Sequence, residues 1–208
     1  MRIRLYRPPL LFRVAFPGAL FRVRTRDKVL FLTFDDGPDR ESTPRILEIL
    51  EGHGVKAAFF CNGERAEKYP EMVALIVSRG HLTGNHGYRH LSGWSTSTPL
   101  YIENVSEMAD SFSTTTFRPP YGHITPGQYK ILKKSLKIVF WDILGYDFDK
   151  DLPPDRCRKA ILKRIRPGSV IVMHDKKGSS APAFLDRFLD NAVEEGYRFG
   201  LLPLSGQE

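Results

Sequence analysis

The chain has 208 residues, 41% of them hydrophobic and 26% charged, with a net charge of +7. That length and composition fit one globular domain with a full apolar core, and they exclude a low-hydrophobicity disordered chain. No apolar run approaches the roughly 20 residues that a bilayer-spanning helix needs.

The charge is concentrated at one end. Residues 1–28 hold eight Arg or Lys (Arg2, Arg4, Arg7, Arg13, Arg22, Arg24, Arg26, Lys28) against one acid, Asp27, a surplus equal to the whole-chain +7. Residues 29–208 are therefore neutral overall, so the body offers no excess positive charge for nucleic acid. The sequence divides into a basic N-terminal segment, 1–28, and a domain over 29–208. The segment reads as neither signal peptide nor transmembrane helix, because Arg13 and Pro17 cut its apolar stretches. It is expected to pack as a strap through its Leu and Phe residues, with weak contact to an anionic membrane surface as the other reading. A cytoplasmic location, with association at the membrane surface, follows as the expectation. Cys61 and Cys157, the only cysteines, form no metal-ligand spacing and no disulfide framework, in keeping with a reducing compartment.

Along the chain, strand and helix signals alternate. Val29–Phe34 is β-branched and aromatic, a strand. Thr43-Pro44 has the N-cap and N1 pattern for a helix with Ile46, Leu47, Ile49 and Leu50 on its apolar face, ended by Gly52 and Gly54. Lys56–Cys61 reads as a second strand. Met72, Val73, Ile76 and Val77 mark a helix stopped at Gly80, and His81–Asn85 a third strand. Thr98-Pro99 and Thr125-Pro126 open two further helices, and Leu136–Trp141 is strand-like. Asp155–Ile165 reads as helix, Val170–Met173 as strand, Pro182–Val193 as helix and Tyr197–Leu204 as a last strand. This serial order predicts a parallel sheet, open or closed.

In such folds chemistry gathers at the carboxyl ends of the strands. Ionisable residues stand just after nearly every strand: Asp35 and Asp36, then His86 and His90, then Arg118 and Tyr121, then Asp147, then His174 and Asp175. Two imidazoles four apart in HGYRH can reach one ion from one helical turn, and one carboxylate completes a facial set with open positions. Taken alone, each has an innocuous reading. Asp36-Gly37-Pro38 is good turn chemistry, Arg118 can be a surface arginine before Pro119-Pro120, and His174 a partly buried structural histidine. Adjacent carboxylates at a strand end would repel unless a cation neutralises at least one, and Arg118 is the candidate partner for Asp35.

The set resembles the polysaccharide deacetylases of carbohydrate esterase family four, the nodulation-type chitooligosaccharide deacetylase domain, from about Val29 to Leu204. TFDDGPD (Thr33–Asp39), HGYRH (His86–His90), RPPYG (Arg118–Gly122), WDILGYDF (Trp141–Phe148) and VIVMHD (Val170–Asp175) stand in the family's order. The resemblance implies a single-domain distorted (β/α) barrel and a metal-dependent hydrolase that removes N-acetyl groups from amino sugars of an oligo- or polysaccharide. It implies that Asp36, His86 and His90 hold one divalent ion, usually zinc, with cobalt or nickel as alternatives. It assigns Asp35 as general base, Arg118 as its partner, the Tyr121 backbone N–H as oxyanion donor, His174 as acid and Asp147 as its carboxylate partner. Val172 and Trp141 would wall an acetyl pocket. Gly87 stands where the family has Ser or Thr, which is expected to leave the loop presenting His86 looser. Phe148 and Leu144 also depart from the fourth motif. Two other readings stay open: the same machinery acting on another amide or an O-acetyl ester, and a non-catalytic carbohydrate-binding relative.

Overall fold

The computed structural model describes residues 4–111 and 114–203. Its framework is a curled half-barrel of parallel strands with helices around it. Strand β1 (Val29–Asp35) is central, flanked by β2 (Ala58–Cys61), β3 (Leu82–Asn85), β4 (Thr116–Phe117) and β5 (Lys137–Ile138) on one side. On the other lie β7 (Val170–His174) and β6 (Ile143–Leu144), while β8 (Arg198–Gly200) pairs with the first half of β1. Every residue of β1 is buried, which is why its sequence is a continuous apolar run. Alternation still sorts its two faces. Leu30, Leu32 and Phe34 pack with Ile46, Leu47 and Leu50 of α2 (Ser42–Gly52) and with Phe184 and Phe188 of α8 (Ala181–Glu194). Val29 and Phe31 face the other way, with Phe60 and Val170. Asp35 shares the parity of Phe31 and Thr33, so it points to the barrel interior, in register with His174 of β7.

The N-terminal strap has a structural place of its own. Helix α1 (Leu10–Ala15) lies outside the sheet, with Phe12 edge-on to Phe140 at 5.1 Å. Beyond it, Phe21 stacks on Phe140 at 4.7 Å. Leu20 forms a parallel bridge with Val139 after β5, and Arg22 an antiparallel bridge with Ser169 before β7. Three of the strap's arginines pair with carboxylates of the body: Arg4 with Asp149, and Arg7 and Arg13 with Asp142.

Several boundaries differ from the sequence expectation, each for a tertiary reason. The strand expected over Leu136–Trp141 is only the short β5, which gives way at Val139 to a bridge with Leu20, and β6 lies beyond the expected range. Thr43 does not cap α2. Its hydroxyl donates to Asp175 at 2.5 Å, while Asp39 accepts the N–H groups of Glu41 and Ser42. Helix α3 (Gly63–Lys68) had no periodic signal, since only Gly63 and Ala66 are buried, and Asn62 caps it by accepting the Arg65 N–H at 3.1 Å. Thr125 does cap α6 (Pro126–Leu132), in a full capping box with Gln128. The remaining helices are α4 (Pro70–Ser78), α5 (Thr98–Ser111) and α7 (Pro154–Leu162). The last strand stops at Gly200, and Leu204 lies outside the described residues. Both cysteines are buried free thiols, and burial pushes their pKa values up.

Candidate active site

The carboxyl ends of β1, β3, β4, β6 and β7 meet around a cavity of about 370 Å³ lined by Asp35, Asp36, His86, His90, Tyr121 and His174, among others. Asp35 ends β1, and Arg118 follows β4. The Arg118 guanidinium is fully buried and donates to Asp35 Oδ1 at 2.5 Å and to the Thr33 hydroxyl at 2.8 Å. Its other N–H groups reach the carbonyls of Val139 and Phe140, and its plane lies 4.1 Å from the Phe60 ring centroid. Five contacts thus hold one charged side chain in a single geometry, as burial of an ion requires.

The two adjacent acids diverge sharply. Asp36 leaves the strand with a left-handed φ of 71°, so backbone reversal as well as strand alternation separates the carboxylates. Gly37 follows because a Cβ there would fall 2.4 Å from the Asp175 carboxylate. Asp36 Oδ1 faces His90 Nε2 at 2.9 Å and His86 Nε2 at 3.4 Å. The ligating atoms of these three residues lie within 4.8 Å of one another. His86 Nδ1 is 2.8 Å from the Arg118 carbonyl, which can only accept, so Nδ1 carries the proton and Nε2 presents a lone pair toward Asp36. One carboxylate oxygen and two imidazole nitrogens converging from separate elements fit a divalent ion with open positions. Burial opposes the charge on Asp36, but its imidazole neighbours outweigh that cost and its pKa is lowered.

The histidine pair is not helical. His86–His90 is a loop after β3, with left-handed φ at Gly87 (76°) and at His90 (54°). The reversals bring the two rings to 4.9 Å, a proximity that helical i, i+4 spacing predicted from another geometry. The loop is braced by Asn85, whose side-chain oxygen accepts from Gly87 N at 2.7 Å, and by Asn104, which accepts from Arg89 N at 2.8 Å. Asn104 Nδ2 is buried without a partner, 3.0 Å from where a Gly87 Cβ would stand. A Cβ at 87 would crowd that amide, and the left-handed φ there favours glycine.

On the opposite wall His174 Nδ1 is 3.0 Å from Asp147 Oδ1, and the His174 backbone N–H donates to Asp147 Oδ2 at 2.7 Å. Ser179 also donates to Asp147, at 2.6 Å. Burial would lower the His174 pKa, but the charge and hydrogen bond of Asp147, aided by Asp36 and Asp35, raise it. Phe148 packs edge-on to the imidazole at 4.8 Å. Trp141, Leu144, Phe148 and Val172 line the same cavity, so the positions that depart from the fourth motif form its apolar wall. Tyr121 has a left-handed φ of 59° and sets its ring edge-on to His90 at 4.6 Å. Among the described residues, the four non-glycine residues with positive φ (Asp36, His90, Tyr121, Tyr146) all line this cavity. Such strain persists where surrounding contacts enforce it, and it collects at functional sites.

Two neighbours were not singled out as site residues from the sequence. Lys176 pairs with Asp36 Oδ2 at 2.5 Å. Asp175 turns away from the cavity to accept from Ser42 and Thr43, joining the end of β7 to the start of α2. The only hint of Lys176 was its place two residues after His174.

Residues 22–136 match the family model described as polysaccharide deacetylase. The chain belongs to that family, hydrolases of carbohydrate esterase family 4. A peptidoglycan-N-acetylglucosamine deacetylase of Bacillus cereus is 36% identical over 182 residues, covering 83% of this chain and 66% of that protein. The chain thus spans just under two thirds of that relative's length. The crystal structure of the Bc1960 peptidoglycan N-acetylglucosamine deacetylase superposes with a TM-score of 0.84 at 34% identity, covering 89% of this chain and 91% of the other. BA3943, a pseudoenzyme of the same family from Bacillus anthracis, reaches 0.82 at 26% identity over 89% of this chain and 68% of its own.

Proposed function

We propose that this protein removes the acetyl group from N-acetylated amino sugars of a glycan strand of peptidoglycan type, with a divalent ion held by Asp36, His86 and His90. The observation that carries the reading is the convergence of those three ligating atoms, with the His86 tautomer fixed by Arg118, beside an ionisable base and acid on opposite walls. The ion, zinc by preference of the donor set, would supply Lewis acidity toward the acetyl carbonyl and a readily deprotonated water.

The remaining work falls to the chain. Asp35, held by Arg118, accepts the proton of the attacking water. The new C–O bond forms as the carbonyl oxygen gains charge, which the Tyr121 backbone N–H stabilises. His174, kept protonated by Asp147, gives its proton to the nitrogen as the C–N bond breaks, so acetate and a free amine leave. Trp141, Leu144 and Val172 exclude water around the acetyl methyl. A superposable fold does not by itself imply turnover, as the pseudoenzyme relative illustrates. The complete residue set supports the catalytic reading here.

Acetate release from N-acetylglucosamine oligomers and from peptidoglycan is the direct test, paired with metal analysis. About one divalent ion per chain is expected, lost in His86→Ala and in His90→Ala. Metal retained in both variants would place the ion elsewhere. Absence of acetate from every acetylated glycan offered to metal-loaded protein would overturn the reading.

A further inference from the structure

Among the described residues, three aromatic side chains are exposed: Trp94 and Tyr121, each at 62%, and Phe148 at 38%. All three gather at one place. Tyr121 and Phe148 line the apolar cavity, and Trp94 stacks on His123, which lines it as well. The indole and imidazole centroids lie 3.7 Å apart with their planes 11° from parallel. His123 leads on to the Tyr121 ring at 5.6 Å, and Tyr121 to the His90 ring at 4.6 Å. A strip of rings thus runs from the Asp-His-His set along the cavity wall and out to Trp94.

The fold holds Trp94 in place without burying it. The Gly93 N–H donates to the His123 carbonyl at 3.1 Å. The amide of fully buried Gln128 donates to the carbonyls of Gly93 at 2.9 Å and Thr96 at 3.3 Å. The backbone is therefore pinned on both sides of Trp94. Glycine precedes it because a Cβ at 93 would stand 2.5 Å from the Gln128 oxygen and from the His123 carbonyl. Trp94 belongs to none of the apolar core clusters. His123 covers one indole face, and an exposure of 62% leaves the other to water. Tryptophan is among the more buried side chains on average, so a pinned indole with one open face points to a contact surface.

We propose that the open face of Trp94 is a stacking subsite for a pyranose ring, that of a sugar further along the strand from the residue whose acetyl group enters the cavity. The proposal rests on the glycan deacetylase reading for the identity of the strand. It adds a binding residue outside the catalytic set, and with it a dependence on oligomer length. A pyranose presents C–H bonds on its flat faces and keeps its hydroxyls at the edge. Its partly positive C–H groups meet the negative face of the indole, while the hydroxyls stay in water. Trp94 touches no reacting atom. Its contact is therefore the same in the bound and the transition state, and it acts on KM rather than kcat. Loss of this one-sided stack should weaken binding about tenfold.

The test compares a long N-acetylglucosamine oligomer with acetohydroxamate, a metal chelator small enough to sit within the cavity. Binding of each is measured by calorimetry to metal-loaded Asp35→Asn protein, alone and combined with Trp94→Ala or Trp94→Tyr. Oligomer affinity should fall about tenfold with Trp94→Ala and be largely kept with Trp94→Tyr, while acetohydroxamate binds alike to all three proteins. With Asp35 in place, Trp94→Ala should raise KM for the oligomer about tenfold and leave kcat near that of the wild type. Unchanged oligomer affinity overturns the proposal. An equal loss for both ligands also overturns it, because Trp94 would then act only by holding His123 in the cavity wall. Oligomer affinity that depends on Trp94, without acetate release from any glycan, would uphold the subsite and overturn the deacetylase reading. Acetate release with no dependence on Trp94 would do the reverse.

Discussion

Two buried carboxylates, Asp35 and Asp142, show what separates a reactive group from a structural one. Both are paired with arginine, and both lie beside β7: Asp35 in register with His174 at its carboxyl end, Asp142 donating its N–H to Val170 at its amino end. Asp142 is saturated. Its Oδ1 takes Arg13 at 3.0 Å and Arg166, with Arg7 at 3.5 Å, and its Oδ2 takes Arg166 Nε at 3.0 Å and the Ser169 hydroxyl at 2.8 Å. Asp35 has one guanidinium on Oδ1, while Oδ2 has only His86 Nε2 at 4.0 Å and opens onto the cavity. One cluster spends every lone pair to fasten the strap to the barrel. The other holds a charge rigidly and leaves one oxygen for a proton.

The sharpest break in this comparison comes from neutralising each acid in turn. Asp35→Asn should lower acetate release by roughly 10²–10⁴-fold, the usual worth of a positioned general base, with circular dichroism and metal content retained. Asp142→Ala should do the opposite. Removing the buried acceptor of three partly exposed arginines loses charge-assisted hydrogen bonds, and about 1.5–3 kcal/mol of stability should go. Turnover per folded molecule should stay close to wild type. Denaturant titration beside an activity assay reads both. If Asp142→Ala lost activity with its stability intact, the division between the two clusters would be wrong.

A third carboxylate falls between these extremes. Asp175 is fully buried, and burial raises its pKa from 3.8 to about 6, against the hydrogen bonds from Ser42 and Thr43. A carboxyl whose folded pKa lies above its unfolded one favours folding while protonated. That contribution is therefore lost as pH rises from near 3.8 and is gone above about 6. The displacement corresponds to roughly 3 kcal/mol. Asp175→Asn should flatten that part of the stability profile between pH 4 and pH 7, as read by denaturant midpoints. An unchanged slope would mean that Asp175 titrates normally.

What was legible in the sequence follows from the same distinction. Asp35, Asp36, His86, His90, Arg118, Asp147 and His174 stood out because costly ionisable residues follow apolar strands, and the structure gathers them at one end of the sheet. The parallel order was legible because buried strands and amphipathic helices alternate. The conformation of HGYRH was not, since its left-handed turns are braced by Asn104 and Tyr121 from elsewhere in the chain as well as by the adjacent Asn85. Nor was the closing role of Leu20 and Arg22, whose partners Val139 and Ser169 lie more than a hundred residues away. Lys176 was not singled out, because only the fold brings it to Asp36.

The smallest expected effect concerns the acid rather than the base. His174 is buried, which disfavours imidazolium, and its raised pKa depends chiefly on Asp147. In Asp147→Asn the backbone N–H and Ser179 bonds can persist, but the charge goes while burial remains. The alkaline limb of kcat/KM, where protonated His174 is lost, should then move to lower pH. Stability should follow the same sign. A histidine raised in the folded state stabilises below its unfolded pKa, near 6.5, and that contribution disappears as pH rises through the folded pKa. The variant should therefore be less stable than wild type at acidic pH, with the gap narrowing as pH rises. A limb that stays in place would assign it to a group other than His174, and with that the pairing of one open carboxylate and one supported imidazolium across the groove would fail.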